Sequence, residues 1–266
     1  MWSSKDTHEV FKEKGWNQNT DTQKLDPDWS INNPDFYNKL LKNKKVICFD
    51  LYGTLIYQQT SLRNKIKNYM KSKKNKIEAD NWYVKKVLKL LKKWEKSDLD
   101  IKSINQELPE SHIDKLPEAD VEELQNYIKE DLEKVRRYRE TLKVLKILKK
   151  KYKLALISNI SKEYEEPLKK LIPEWLFDYK EFSYSLWKSK PDPEIFGSIF
   201  TQAKKDGLGV EDMVMVWDTR KHDMDWAEKV WMDRIFLDRK SKKMYYDEKR
   251  KIWVIHTLRD LTKLLG

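Results

Sequence analysis

Short apolar runs recur along the 266-residue chain and alternate with segments of helical periodicity. Each run is four or five residues long, which suits a strand that is buried on both faces of a sheet. Strands that alternate with amphipathic helices favour an α/β fold with a doubly wound parallel sheet. The predicted strands are residues 45–49, 154–157, 213–216, 234–237 and 252–255.

The long interval after the first predicted strand has a helical pattern of its own. Its apolar residues recur at spacings of three and four, the period of an amphipathic helix. We therefore predict a core made of residues 44–56 and 138–266, into which residues 57–137 are inserted as a helical cap. The apolar residues with this spacing are Val84, Val87, Leu88, Leu91, Val121, Leu124, Ile128, Leu132 and Val135.

Residues 1–43 are polar and show no sustained period, so we predict an N-terminal extended arm. The arm carries Trp2, Trp16 and Trp29. Because an exposed indole gains free energy by contacting apolar surface, we expect the arm to pack either on its own protein or on a partner. The sequence favours neither alternative.

Charge and composition restrict the classes of function. The net charge of +11 favours acidic partners or RNA, but only nine of the 55 basic residues are Arg, the residue that suits bidentate phosphate recognition. The six Gly are not clustered, which excludes glycine-rich nucleotide-binding loops. A single Cys, Cys48, excludes internal disulfides and cysteine zinc sites and fits a reducing compartment. We expect an intracellular protein of the cytoplasm or mitochondrial matrix without a membrane span.

Polar residues follow the predicted strands at the points where the strands end. They are Asp50, Ser158 with Asn159, Lys188 to Lys190, and Asp218 with Asp223. Ligands of open parallel sheets bind at the carboxyl ends of the strands, so these side chains are expected to converge. Carboxylates, a hydroxyl and an ammonium group suit a divalent cation and a phosphate.

These segments resemble, in order, the four motifs of the haloacid dehalogenase-like hydrolases. Residues 50–55 read DLYGTL and resemble the first motif, D-x-[DY]-G-T-L, and residues 156–159 read LISN and resemble the second. Residues 190–196 read KPDPEIF and resemble the third, and residues 218–223 place an acidic pair as the fourth does. The position of the helical insertion is similar to that of the mobile C1 cap.

The resemblance implies covalent catalysis with Mg²⁺, in which Asp50 is the nucleophile. It implies that Asp50, the Tyr52 carbonyl, Asp218 and Asp223 hold the metal, and that Lys190 stabilises the phosphoryl group. Tyr52 occupies the position of the family's general acid and is a third catalytic candidate beside Asp50 and Lys190. The implied substrate-binding residues are Thr54, Ser158 and Asn159.

Some residues depart from the family pattern. Family phosphatases place Asp where Tyr52 stands, and a Tyr with a pKa near 10 is a poor proton donor at neutral pH. Trp217, Trp226 and Trp231 replace glycines, and we expect these indoles to crowd the site or to repack its rim. His222 replaces an Asn.

Two functions follow from this pattern. The first is Mg²⁺-dependent hydrolysis of a small phosphorylated metabolite through an aspartyl-phosphate on Asp50. The second is a catalytically degraded domain that serves as a structural subunit of a large mitochondrial or ribonucleoprotein assembly. Its protein or RNA partners would bind the arm and the basic faces. Dehalogenation is a third and weaker possibility, which Asp218 disfavours because such enzymes use no metal.

Overall fold

The computed structural model describes residues 39, 41–58, 82–109, 115–219 and 232–265. Most of the predicted arm, part of the predicted cap and the segment after Thr219 lie outside this description. The described strands are β1 (Val46–Phe49), β2 (Ile56–Gln58), β3 (Val135–Arg137), β4 (Lys153–Ser158), β5 (Tyr179–Phe182), β6 (Met213–Trp217), β7 (Asp233–Leu237), β8 (Tyr245–Asp247) and β9 (Ile252–Ile255).

Described helices connect four successive pairs of these strands, from β2 to β6. The described α-helices are α1 (Trp82–Trp94), α2 (Ile101–Glu107), α3 (Glu118–Lys134), α4 (Thr141–Leu148), α5 (Glu165–Leu171), α6 (Ser183–Leu186), α7 (Pro193–Lys204) and α8 (Arg259–Leu264). Three 3₁₀ turns, Lys162–Tyr164, Glu174–Leu176 and Val210–Asp212, complete the described helical elements.

The larger described sheet has the strand order β5-β4-β1-β6-β7-β9-β8. Neighbours from β5 to β9 are parallel, and only the edge strand β8 is antiparallel, to β9. The predicted α/β class and its five strands are confirmed. The sequence analysis missed β5 and β8, because both are short edge strands that include charged residues and therefore lack the apolar run of a central strand.

The sheet separates two apolar clusters, since successive side chains of a strand point to opposite faces. From β1, Ile47 and Phe49 join the larger cluster, whereas Val46 and Cys48 join the smaller one, which contains buried residues of α7. All four side chains are fully buried. This explains why a central strand of this chain is apolar at every position rather than at alternate positions.

A second sheet has two strands, β2 and β3, which begin and end the predicted cap and pair in antiparallel fashion. Between them, α1 buries Val87 and Leu90, but Leu88, which the periodicity placed on the same stripe, is 46% exposed. Leu41, which was assigned to the arm, is fully buried in the larger cluster. The division into arm, cap and core remains a proposal, which this pairing supports.

The helices that the structure describes are all too short or too polar to cross a bilayer.

Candidate active site

Asp50 lies at the carboxyl end of β1, in the middle of the sheet. Its backbone N–H donates to the Val216 carbonyl of β6 at 3.0 Å, so the residue still follows the line of the strand. Asp50 is 8% exposed. A carboxylate at this depth needs a charged or hydrogen-bonding partner.

Lys190 supplies that partner, as its Nζ donates to Oδ1 of Asp50 across 140 residues of sequence. The two side chains are 6% and 12% exposed. The ion pair is thus largely removed from solvent. In the protein interior the attraction between its charges is stronger than it would be in water. Two of the predicted catalytic residues are therefore in direct contact.

Asn159 holds the backbone of Lys190. Its Oδ1 accepts from the Lys190 N–H at 2.7 Å, and its Nδ2 donates to the Lys190 carbonyl at 3.1 Å. Asn159 was predicted to bind the substrate, but both ends of its amide already bind the backbone of residues 187–192, which we call the lysine loop. The geometry supports a positioning role for Asn159.

The lysine loop leads from α6 to α7. Trp187 adopts a left-handed backbone conformation with φ of 56° and is 57% exposed. Asp192 caps α7 by accepting from the Glu194 N–H at 3.0 Å, and Pro193 occupies the first turn. The third motif therefore combines a lysine that reaches the nucleophile with a helix start that fixes the end of its loop.

Gly53 allows Asp218 to approach the loop that follows β1 and contains Asp50. Its φ is +78°, and a Cβ at this position would lie 1.8 Å from Oδ2 of Asp218. Burial, followed by the charge of Asp50, raises the pKa of Asp218 to about 6. The carboxylates of Asp50 and Asp218, at the ends of β1 and β6, are thus close enough for their charges to interact, and only a residue without a Cβ fits at position 53 against Asp218.

Tyr52 points its hydroxyl into a buried polar cluster at the contact between the core and the predicted cap. Asp131 of α3 lies there and accepts hydrogen bonds from Tyr164 at 2.8 Å and from Gln58. The Tyr52 and Tyr164 rings meet edge to face at 5.6 Å. Burial and then the Asp131 charge raise the pKa of Tyr52 well above 10. This environment makes Tyr52 a still poorer proton donor than an exposed tyrosine.

Asp131 is a residue that the sequence analysis missed. It follows Ile128 by three positions and Leu124 by seven, so it continues the apolar stripe of α3. Asp131 is fully buried. A carboxylate at a core position of an amphipathic helix was the available signal, because such a group is buried only with polar partners.

Thr54 and Ser158, predicted to bind the substrate, are both buried near the strand ends. The Thr54 hydroxyl has no hydrogen-bond partner among the described residues. A buried hydroxyl in this state costs free energy unless a ligand or water accepts or donates a hydrogen bond. Thr54 is therefore suited to donate to a phosphoryl oxygen.

Trp217 does not crowd the site, and the prediction that it does so is wrong. The side chain is fully buried in the smaller apolar cluster, on the face of the sheet that α7 covers. Trp217 is the last residue of β6 and directly precedes Asp218, and the pleat of the strand turns its indole into the core. Trp226, Trp231, His222 and Asp223 lie outside the described residues.

The donors present fit a hard divalent cation. The Asp50 and Asp218 carboxylates are close enough for the charge of one to raise the pKa of the other, a repulsion that a cation would relieve. Oxygen donors of this kind are the ligands that Mg²⁺ prefers. Within the described ranges, no group of three or more His, Cys, Asp or Glu side chains forms a metal site.

The family described as haloacid dehalogenase-like hydrolase matches residues 44–230. No curated protein shows significant sequence similarity to the chain.

Solved structures share the fold at low identity. A 2-haloacid dehalogenase from Pseudomonas syringae pv. Tomato DC3000 is 19% identical, with a TM-score of 0.53 over 84% of this chain and 98% of that chain. A phosphatase of the same family from Thermococcus onnurineus is 22% identical, with a TM-score of 0.52 over 84% and 98%. The putative hydrolase YfnB from Bacillus subtilis, bound to magnesium, is 14% identical, with a TM-score of 0.51 over 84% and 99%.

Proposed function

Because the chain belongs to the haloacid dehalogenase-like hydrolase family, we propose that it hydrolyses phosphate esters of a small metabolite through an aspartyl-phosphate on Asp50. The observation that carries the proposal is the meeting of Asp50, Lys190 and Asp218 at one edge of the sheet. A nucleophile, a cation for the phosphoryl oxygens and a second carboxylate for a metal are the parts that such a reaction requires.

The first step forms a bond between an Asp50 oxygen and phosphorus and breaks the bond from phosphorus to the ester oxygen. The leaving alcohol takes its proton from water, since the Tyr52 hydroxyl is buried against the cap. Water then attacks phosphorus, which releases inorganic phosphate and restores the Asp50 carboxylate. Lys190 balances the negative charge throughout, and the Thr54 hydroxyl donates to a phosphoryl oxygen.

The family generally uses Mg²⁺, and the residues of this chain that would hold it are Asp50, Asp218 and the Tyr52 carbonyl, with Asp223 outside the described residues. When bound, the ion would neutralise charge on a phosphoryl oxygen. The dependence on Mg²⁺ is part of the proposal.

The test is turnover of a panel of phosphate esters by the full chain with and without Mg²⁺. We expect Mg²⁺-dependent release of phosphate that is lost in Asp50→Asn. The matched control is Asp98→Asn, because Asp98 is exposed between α1 and α2 in the predicted cap. Acid quenching should also trap a phosphoryl group on the peptide that contains Asp50. A broad panel without turnover, or turnover that survives Asp50→Asn, would refute the proposal.

A structural role in a large assembly is the second proposal, and the buried state of Tyr52 favours it, because the motif position of the general acid is used for packing. The obstruction by Trp217 that this role predicted is not present. Protein or RNA partners bound through the arm and the basic faces remain predictions. If these predictions are correct, the full chain should co-purify with a defined assembly, whereas a free enzyme should not.

A further inference from the structure

Arg239, in the turn after β7, contacts the backbone of the nucleophile loop, which we define as residues 50–56. Its Nε donates to the Gly53 carbonyl at 3.0 Å, and its Nη2 donates to the Thr54 carbonyl at 2.7 Å. The third nitrogen, Nη1, donates to Oε1 of Glu140 at 2.8 Å. Every nitrogen of the guanidinium group is therefore engaged, two of them by successive carbonyls of the loop.

The contact is fixed from the other side as well. The guanidinium carbon of Arg239 lies 3.3 Å from the centre of the Tyr138 ring, a stacked arrangement that restricts rotation of the planar group. The side chains of Arg239 and Glu140 are only 22% and 13% exposed. An Arg held by a ring and a carboxylate loses little further entropy when it binds the two carbonyls.

The same segment holds the next carbonyl of the loop. The Thr141 hydroxyl donates to the Leu55 carbonyl at 2.8 Å, and the Tyr138 N–H donates to it at 3.3 Å. Residues that are distant in sequence thus fix three consecutive carbonyls of the loop. Tyr138 and Thr141, 83 or more positions further along the chain, bind the Leu55 carbonyl. Arg239, beyond β7, binds the carbonyls of Gly53 and Thr54.

We propose that Arg239, held by Glu140, is a positioning residue that sets the distance between Asp50 and Asp218. Gly53 follows Asp50 by three residues and packs so closely against the Asp218 carboxylate that a Cβ at this position would lie 1.8 Å from Oδ2 of Asp218. A shift of the Gly53 and Thr54 carbonyls moves Gly53 relative to Asp218. Displacements of about 1 Å from reacting geometry cost on the order of 100-fold in rate. The effect on catalysis rests on the proposed function of Asp50.

Two measurements test this role in the full chain. The first is hydrogen exchange of the loop amides Gly53, Leu55 and Ile56, which donate to loop carbonyls at 2.8, 2.8 and 3.0 Å. Arg239→Gln should speed their exchange. The control is Arg250→Gln, because Arg250 also forms an ion pair with a carboxylate, that of Asp247, at 2.6 Å. Arg250 lies in the turn between β8 and β9, at the amino end of β9, whereas Asp50 lies at the carboxyl end of β1.

The second measurement separates kcat from KM for phosphate-ester hydrolysis. Arg239→Gln and Arg239→Lys should each lower kcat about 10-fold to 100-fold with KM changed less than about 3-fold, since a lysine cannot bind two carbonyls and a carboxylate with one fork. Millimolar guanidinium should partly restore kcat to Arg239→Ala, whereas ammonium should not. Arg250→Gln should change neither constant.

The outcomes separate the two proposals. Faster loop exchange in Arg239→Gln alone supports the positioning role even if the wild-type chain hydrolyses no ester, in which case the proposed function fails. Loop exchange equal to that of Arg250→Gln overturns the positioning role. In an active wild-type protein, a kcat of Arg239→Gln within about twofold of the wild-type value overturns it too.

Discussion

At the scale of single residues, Tyr52 occupies a motif position without the environment that proton transfer needs. Its ring packs edge to face on Tyr164, and burial raises the pKa of its hydroxyl well above 10. A proton donor works best with a pKa near the operating pH and with access to the leaving group. The raised pKa does not meet the first condition, and the contacts of Tyr52 with Tyr164 and Asp131 support a packing role between the core and the predicted cap.

We predict that hydrolysis depends strongly on the leaving group. Esters of acidic phenols, such as p-nitrophenyl phosphate, should turn over at least about 100-fold faster than alkyl phosphates, because general acid catalysis contributes roughly that factor where it operates. Steady-state kcat values over a series of aryl and alkyl esters measure this dependence. A Tyr52→Phe variant that slows alkyl esters selectively would instead identify Tyr52 as the proton donor.

The roles of Gly53 and Asn159 depend on neighbours that are distant in sequence. Gly53 is required because Asp218 occupies the place of its Cβ, and Asn159 is required because the backbone of Lys190 binds its amide. Neither role can be deduced from the motif letters alone. Each needs the position of a strand end or loop that folds against it.

At the scale of elements, hydrogen bonds attach the predicted cap to loops of the predicted core. Nε1 of Trp94, at the end of α1, donates to Oε2 of Glu163 at 2.5 Å, and the Ser183 hydroxyl donates to the Glu95 carbonyl at 2.5 Å. Glu163 is partly buried, and this burial raises its pKa above the ordinary 4.5, because it outweighs the hydrogen bond from Trp94, which lowers the pKa; the charge of Asp100 raises it further. The contact therefore binds the two units while leaving a carboxylate in an unfavourable environment.

Glu163→Gln is predicted to stabilise the protein at pH 7. A Gln oxygen still accepts from Trp94, but the partly buried negative charge is removed. Because the folded-state pKa is raised, the wild-type protein loses stability as pH rises through that value. The difference in free energy of unfolding should therefore be largest near neutral pH and vanish below about pH 4.

Urea denaturation at several pH values measures this difference. The control is Glu107→Gln, since Glu107 is exposed at the end of α2 and its substitution should change the stability little. A Glu163→Gln variant that is less stable than the wild type at pH 7 would show that the charge itself strengthens the bond to Trp94.

At the scale of the whole molecule, the two apolar clusters determine which residues are free to form the site. The larger cluster unites buried residues of α1 and α3 with residues of β1 and β6, so described parts of the predicted cap and core share one apolar interior. The smaller cluster contains the indole of Trp217, although this residue stands at the carboxyl end of β6. Trp217, one of the aromatic residues expected to crowd the site, is therefore part of the core.

We predict that Trp217→Leu lowers the free energy of unfolding by about 2–4 kcal/mol, because it replaces the largest fully buried side chain of the core and leaves a cavity. Trp175→Leu should change it by less than about 0.5 kcal/mol, since Trp175 is 62% exposed. Chemical denaturation of both variants measures these values. Equal effects would contradict the placement of Trp217.

The sequence by itself determined the central strands, the fold class and the family. Central strands of a parallel sheet are buried on both faces, so they are written locally as continuous apolar runs, and the polar residues that end them mark the edge where ligands bind. These signals need no knowledge of the rest of the chain.

Only the tertiary structure decided the direction of Trp217, the burial of Tyr52 against Asp131 and the contact of Arg239 with the nucleophile loop. The contacts of Tyr52 and Arg239 join segments that lie about 80 to 190 residues apart, where no local periodicity relates one partner to the other. The direction of Trp217 follows from the register of β6 against β1, because a shift of one residue would turn the indole to the other face of the sheet.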